Sequence, residues 1–250
     1  MCLTARNYPS KLQALAHHIL QPNLPLLTSR FVHSQLNNAD PDIATPYHDI
    51  FESPVAVFHS AVSTFYAPSD LSGLGGIHSE YIRSTPSWRN GSARRDTVFL
   101  ERDPDVPGMK GLHVGRVFLF FSLTYSGIKY PCALIQWFTP ISDEPDEDTG
   151  MWIVEPDFDA NGQREMEVVH LHSILRGAHL IPVYDKVHGA LLKRSRYLPY
   201  LGGAPFTVVR LPSNIAMYSS ILHMIYPFVV AMFRLPLQHP YPSIAMQLII

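Results

Sequence analysis

Apolar positions follow a helical period near the N-terminus and a strand-like period from about residue 54 onward. Leu12, Leu15, Ala16, Ile19 and Leu20 recur at helical spacing, and Ser10 stands where a cap is needed. Pro22 and Pro25 break that helix. Thr28 can cap a second helix over Ser29–Leu36 that ends at Asn37-Asn38. Residues 38–53 are rich in Pro, Asp and Asn and read as a linker. Val55–Phe58 is β-like and is followed by Ala61–Tyr66, before a Gly-rich stretch, Pro68–Gly76, that must be a loop.

The clearest pattern lies between Asp96 and Tyr184. Thr97–Leu100, Val114–Tyr125, Lys129–Phe138, Met151–Glu155 and Glu167–Leu171 read as strands, the two long ones joined by a hairpin turn at Ser126-Gly127. Ser173–Arg176 reads as a single turn leading into Ala178–Tyr184. The expectation is a mainly β fold with short N-terminal helices, its β-rich module over 54–184 forming a small barrel or sandwich. Residues 185–250, Pro-rich and apolar, form a tail expected to be irregular or helical.

Composition adds limits. A length of 250 residues, 46% of them hydrophobic, is ample for a buried core, and 22 prolines work against long helices. A net charge of -2 gives no global attraction to nucleic acid or anionic membrane, so such binding needs a local patch. The two cysteines, Cys2 and Cys132, are poorly placed to pair, and no signal-peptide pattern opens the chain. Both features predict an intracellular protein, in which the sequon Asn90-Gly91-Ser92 carries no sugar.

Candidate chemistry is sparse. The Pro68–Gly76 loop lacks the Gly-Lys-Ser/Thr ending of a phosphate-binding loop. Asp143, Glu144, Asp146, Glu147 and Asp148 lack calcium-loop spacing and read as a solvated loop. His170 and His172 would share a face of one strand, but companion ligands for zinc are not visible. His179 sits in an apolar run as a core residue. Adjacent His59 and Ser60 face opposite ways on a strand, and no Gly-x-Ser-x-Gly elbow occurs, so nothing supports acyl transfer. No catalytic residue, cofactor, metal or small-molecule substrate is expected.

Arg83, Trp88, Arg89, Arg94 and Arg95 form the candidate nucleic-acid site. Guanidinium groups pair with phosphates and an indole can stack on an unpaired base. Glu80 and Asp96 dilute the patch, and the alternative for Trp88 is a place in the core. Ile215–Phe233 holds no charged residue and is about long enough to span a bilayer, with Arg210 and Arg234 flanking it.

Several strings resemble the C-terminal region of transposase-like proteins abundant in basidiomycete fungi, of the Plavaka and Kyakuja-Dileera-Zisupton type. They are VFHSAVSTFYAPSD at Val57–Asp70, IRSTPSWR at Ile82–Arg89, YPCAL at Tyr130–Leu134, PDEDTGMW at Pro145–Trp152 and ILRGAHLIPVY at Ile174–Tyr184. The likeness runs from about Asn7 to Tyr184. It departs at His172, where relatives tend to carry an acidic residue, and stops after Tyr184. In such proteins the strand-cutting acidic residues belong to an upstream RNase H-like domain, and no position here matches them. The strand order also resembles a bromo-adjacent-homology module, an analogy of architecture alone. The resemblance implies a non-catalytic piece of a mobile-element protein, nuclear, binding DNA, chromatin or a transposase chain. The alternatives are a small protein anchored in a membrane through Ile215–Phe233 and a degenerate gene product.

Overall fold

The computed structural model describes residues 5, 7–37, 48–66, 76–147, 149–182, 206–208 and 245–249. The segment Ile215–Phe233 and most of the Gly-rich loop lie outside them, as do residues 38–47 of the expected linker. No helix among the described residues is long and apolar enough to cross a membrane.

The fold is mainly β with two short N-terminal helices, as the periodicity predicts. Helix α1 spans Leu12–His18, and its N-cap is Lys11, which makes no side-chain cap bond. Ser10 instead ties the helix to the first strand, its carbonyl accepting the Val55 N–H at 2.9 Å. Helix α2 runs over Leu24–Asn37, longer than Ser29–Leu36. Pro25 sits in its first turn, where no intrahelical N–H bond is lost, so this proline starts the helix rather than breaking it. Thr28 lies inside the helix and donates its hydroxyl to the Leu24 carbonyl at 2.7 Å. Leu12, Leu15, Leu24, Phe31 and Val32 pack into one core with Phe121, Cys132, Leu134 and Val168. Ile50 of the expected linker is buried in it too.

The strands are β1 (Val55–Phe58), β2 (Ser60–Tyr66), β3 (Ile77–Thr85), β4 (Arg94–Arg95), β5 (Thr97–Glu101), β6 (Leu112–Tyr125) and β7 (Ile128–Pro140). They continue as β8 (Trp152–Pro156), β9 (Met166–His170), β10 (Ile174–Ala178) and β11 (Leu180–Pro182). Two more come from the tail, β12 (Phe206–Val208) and β13 (Ala245–Ile249). The tail residues that are described are therefore strands, not the irregular or helical structure expected there, because each finds an open ladder edge: β12 on β8 and β13 on β2. Ile174–Arg176 also pairs as strand where a single turn was expected, the turn falling at Leu171–Ser173.

The long β6–β7 hairpin is the centre. Its turn carries Ser126 and Gly127 at φ of 50° and 80°, the left-handed pair that a two-residue hairpin needs. Both faces of the hairpin are covered, which is why Val117–Leu123 reads as a nearly unbroken apolar run. Leu119, Phe121 and Leu123 enter the core shared with the helices. Val117 and Phe120 enter a second core with Val98, Leu100, Ile135 and Ile174. Odd and even positions exchange faces because the register with β7 shifts between Val117 and Leu119. That shift leaves Phe118 as an extra residue in a bulge.

Two antiparallel sheets result. In the larger, β5 and β1 line one edge of the hairpin and β8 and β9 the other. The smaller runs β13-β2-β3-β4. Strands β1 and β2 are one extended segment that changes sheet at His59. Of the two architectures expected, no closed barrel forms among the described residues: the ladder path is open, with β10 at one end and β11 at the other. Only His179 separates those two strands in sequence, so the chain, not a ladder, joins the ends. Side chains link the sheets, with Ser63 donating to the Leu175 carbonyl at 2.5 Å and Ser84 to that of Phe118 at 2.7 Å.

Candidate nucleic-acid interface

Strands β3 and β4 are joined by residues Pro86–Ala93, and Trp88 stands at that tip. The tip is closed by local bonds: Gly91 N–H to the Trp88 carbonyl at 2.9 Å, Trp88 N–H to the Ser92 carbonyl at 3.1 Å, and Ser87 Oγ to the Gly91 carbonyl at 3.1 Å. Arg89 and Asn90 hold φ of 51° and 60°, so the tip is a left-handed turn built without glycine at its two central positions.

Three of the four candidate arginines converge on the indole. The guanidinium carbon lies 4.8 Å from the ring centroid for Arg83, 5.0 Å for Arg94 and 5.6 Å for Arg89. The indole expected to offer a face to a base is thus ringed by cations. Asp96 is the carboxylate at this cluster. Its Oδ1 accepts Arg94 Nε–H at 2.8 Å, and its Oδ2 accepts Arg94 Nη2–H at 3.2 Å and the Arg83 backbone N–H at 2.9 Å. Arg83 and Arg89 have no carboxylate partner among the described residues. Glu80 does not dilute the patch: it lies on the opposite face of β3, where its carboxylate accepts the Gly177 N–H.

Arg95 separates from the group. Ser84 pairs with Arg95 and Thr85 with Arg94 across the β3–β4 ladder, and alternation sends the two arginines to opposite faces. Arg95 lies 3.7 Å over the ring of Phe118, the bulged residue. There it lines a cleft of about 160 Å³ with Tyr8, His18, Ser84 and Thr85. Burial raises the Tyr8 hydroxyl above its ordinary value, partly offset by the Arg95 charge.

Arg83 and Arg94 lie 4.8 and 5.0 Å from one centroid, so at most about 10 Å apart. Unit charges at about 10 Å with an effective dielectric of about 20 repel by about 2 kcal/mol. An exposed cation–π contact returns about 0.5–1 kcal/mol. The cluster is therefore held by Asp96 and the indole against its own repulsion, and a bound anion would relieve it.

The other candidates group less. His172 is in the turn after β9, not on the strand, and its N–H is donated to His170 Nδ1 at 3.3 Å. Their rings are 5.0 Å apart, while His170 also stacks on Phe31. No group of three or more metal-ligating side chains occurs among the described residues. Asp146 caps its own turn by accepting Thr149 N–H and Oγ1–H at 2.9 and 2.6 Å. Cys132 is buried, and burial raises its thiol far above the ordinary range. Arg164, which no sequence pattern singles out, lies 4.9 Å over Phe138; burial, and next the charge of Arg116, lower it to about 10.

The chain matches no family model, no curated protein and no solved structure.

Proposed function

We propose that this chain is a non-catalytic, nucleic-acid-binding module of the transposase-like kind, gripping the phosphate backbone through Arg83, Arg89 and Arg94. The observation that carries the reading is the gathering of three guanidinium groups around Trp88, of which Arg94 is bonded to the Asp96 carboxylate. Forked guanidinium donors suit phosphate oxygens, and an indole that fixes their planes reduces the freedom lost on binding. The resemblance of Val57–Asp70, Ile82–Arg89 and Ile174–Tyr184 to the transposase-like tails supports a nucleic-acid setting. It also puts the cluster within a matching string, since Arg83, Trp88 and Arg89 belong to IRSTPSWR.

Fluorescence anisotropy of the full chain with labelled oligonucleotides, across a salt series, tests this. Replacing Arg83, Arg89 and Arg94 together by alanine should weaken binding ten-fold or more. It should also reduce the slope of log affinity against log salt by about 2–3, roughly 0.9 for each phosphate that is no longer neutralised. Equal binding by both proteins would remove the cluster from the account.

A further inference from the structure

Arg83 belongs both to the Trp88 cluster and to a strand face that carries no motif. Directly opposed residues of an antiparallel pair share a face. In the β2–β3 register Tyr66 faces Ile77, Val62 faces Tyr81 and Ser60 faces Arg83. Tyr66, Ile77, Tyr81 and Arg83 therefore project to one side. The other side is occupied, with Ser63 and Glu80 bonded to β10 and Arg176 lying 4.4 Å over Phe65. The first side is open: Tyr81 is 54% exposed, Ile77 52% and Tyr66 41%. The Arg83 guanidinium lies 5.3 Å from the Tyr81 ring and 4.8 Å from the Trp88 ring. Ring and cation alternate along this face as Tyr81, Arg83, Trp88, Arg94.

We propose that the outer face of β2–β3 is a platform for single-stranded nucleic acid, on which Tyr81 stacks an unpaired base while Arg83 and Arg89 hold the adjoining phosphates. The proposal rests on the phosphate-binding reading above and narrows its ligand. A duplex keeps its base faces inside the stack and offers a surface protein phosphates and groove edges. The tyrosine hydroxyl can reach a duplex phosphate, but the exposed ring face beside the guanidinium groups finds a stacking partner where bases are unpaired. Trp88, enclosed by cations, sets the arginines, and Tyr81 takes the stacking role that Trp88 cannot. Tyr66 extends the platform: it lies opposite Ile77, four residues or about 13 Å along the strand from Tyr81. The wide spacing, with the Thr64–Ser79 pair between the two rings, suits a flexible strand rather than a rigid helix.

The test uses the full chain with three labelled probes of equal length: oligothymidylate, oligouridylate and a mixed-sequence duplex. Tighter binding of either single strand than of the duplex is expected, and the better of the two identifies the sugar. Tyr81→Ala should weaken single-strand binding about ten-fold and leave duplex binding unchanged, whereas Tyr81→Phe, which keeps the ring, should bind like the parent. A melting curve for each variant checks that the fold persists, as expected for a side chain more than half exposed. Parental affinity of Tyr81→Ala for both single strands would overturn the platform. If the Arg83/Arg89/Arg94 triple variant still loses binding in that case, the phosphate cluster survives alone; if it does not, both readings fall.

Discussion

Neighbours in sequence are not neighbours in the site. Arg94 and Arg95 form a basic pair in the sequence, yet strand alternation gives Arg94 to Trp88 and Arg95 to Phe118. Asp96, which looked like a diluting charge, is the group that fixes Arg94 and the Arg83 backbone. Close packing is just as position-specific. A Cβ on Gly115 would stand 2.3 Å from Ile135 Cγ2 and 3.3 Å from Leu100 Cδ1, both on fully or nearly fully buried side chains. Gly115→Ala should therefore cost about 1–3 kcal/mol, the usual range for overpacking a core. Urea denaturation reads it as a lower midpoint at unchanged slope; a midpoint equal to the parent's would mean that Ile135 yields freely. A glycine inside an apolar strand hints at such an approach, but the atom it makes room for belongs to β7 and is invisible from β6 alone.

At the level of elements, the long strands were readable because they are apolar and bounded by turns. Thr97–Glu101, Leu112–Tyr125 and Ile128–Pro140 fall within about two residues of the pattern. Strand β3 was not readable: IHSEYIRST has Ile77, Tyr81 and Arg83 on its open face and His78, Glu80 and Ile82 on the other, so neither face is plainly apolar. Helix α2 began earlier than expected because Pro25 is harmless within a first turn. The Ser126-Gly127 turn was visible, but Ser126 is a costly residue at φ of 50°. Asn accepts that region more readily, so Ser126→Asn should raise stability by about 0.5 kcal/mol, seen as a small rise in the melting temperature. A fall would show that the serine hydroxyl has a role at the turn that the asparagine amide cannot take.

For the molecule as a whole, four half-buried histidines give stability a pH dependence. His59, His113, His170 and His179 all lie below the ordinary imidazole value. Burial is the first cause in each; the Arg102 charge adds to it at His113 and His172 at His170, while Glu80 and Asp96 oppose it at His179. Unfolding returns each to about 6.5. The unfolded chain therefore binds more protons once the pH drops below that value. The stability these groups contribute is present above about pH 6.5 and is lost as the pH falls through their folded values. Melting followed by circular dichroism should give a lower midpoint at about pH 5.5 than at about pH 7.5; a level or higher midpoint would contradict this account. The sites matter for the whole fold because they sit at its joints, His59 where one strand changes sheet and His179 between β10 and β11.

What the sequence by itself determined is the class of fold and the identity of the basic residues. Both are local: strand periodicity and turn chemistry are written within a few residues, and a guanidinium is a cation wherever it lies. The tertiary structure decided which arginines surround Trp88, which face of β3 is open, and that Tyr81 is more exposed than Trp88, with Arg83 over its ring where Trp88 has three guanidinium groups. Those outcomes depend on register across β2, β3 and β4 and on the packing of β10 against their inner face. Register and packing join residues far apart in the sequence, as Ser60 and Ile249 or Glu80 and Gly177 are, and no local pattern encodes which of two mixed faces a distant strand will cover.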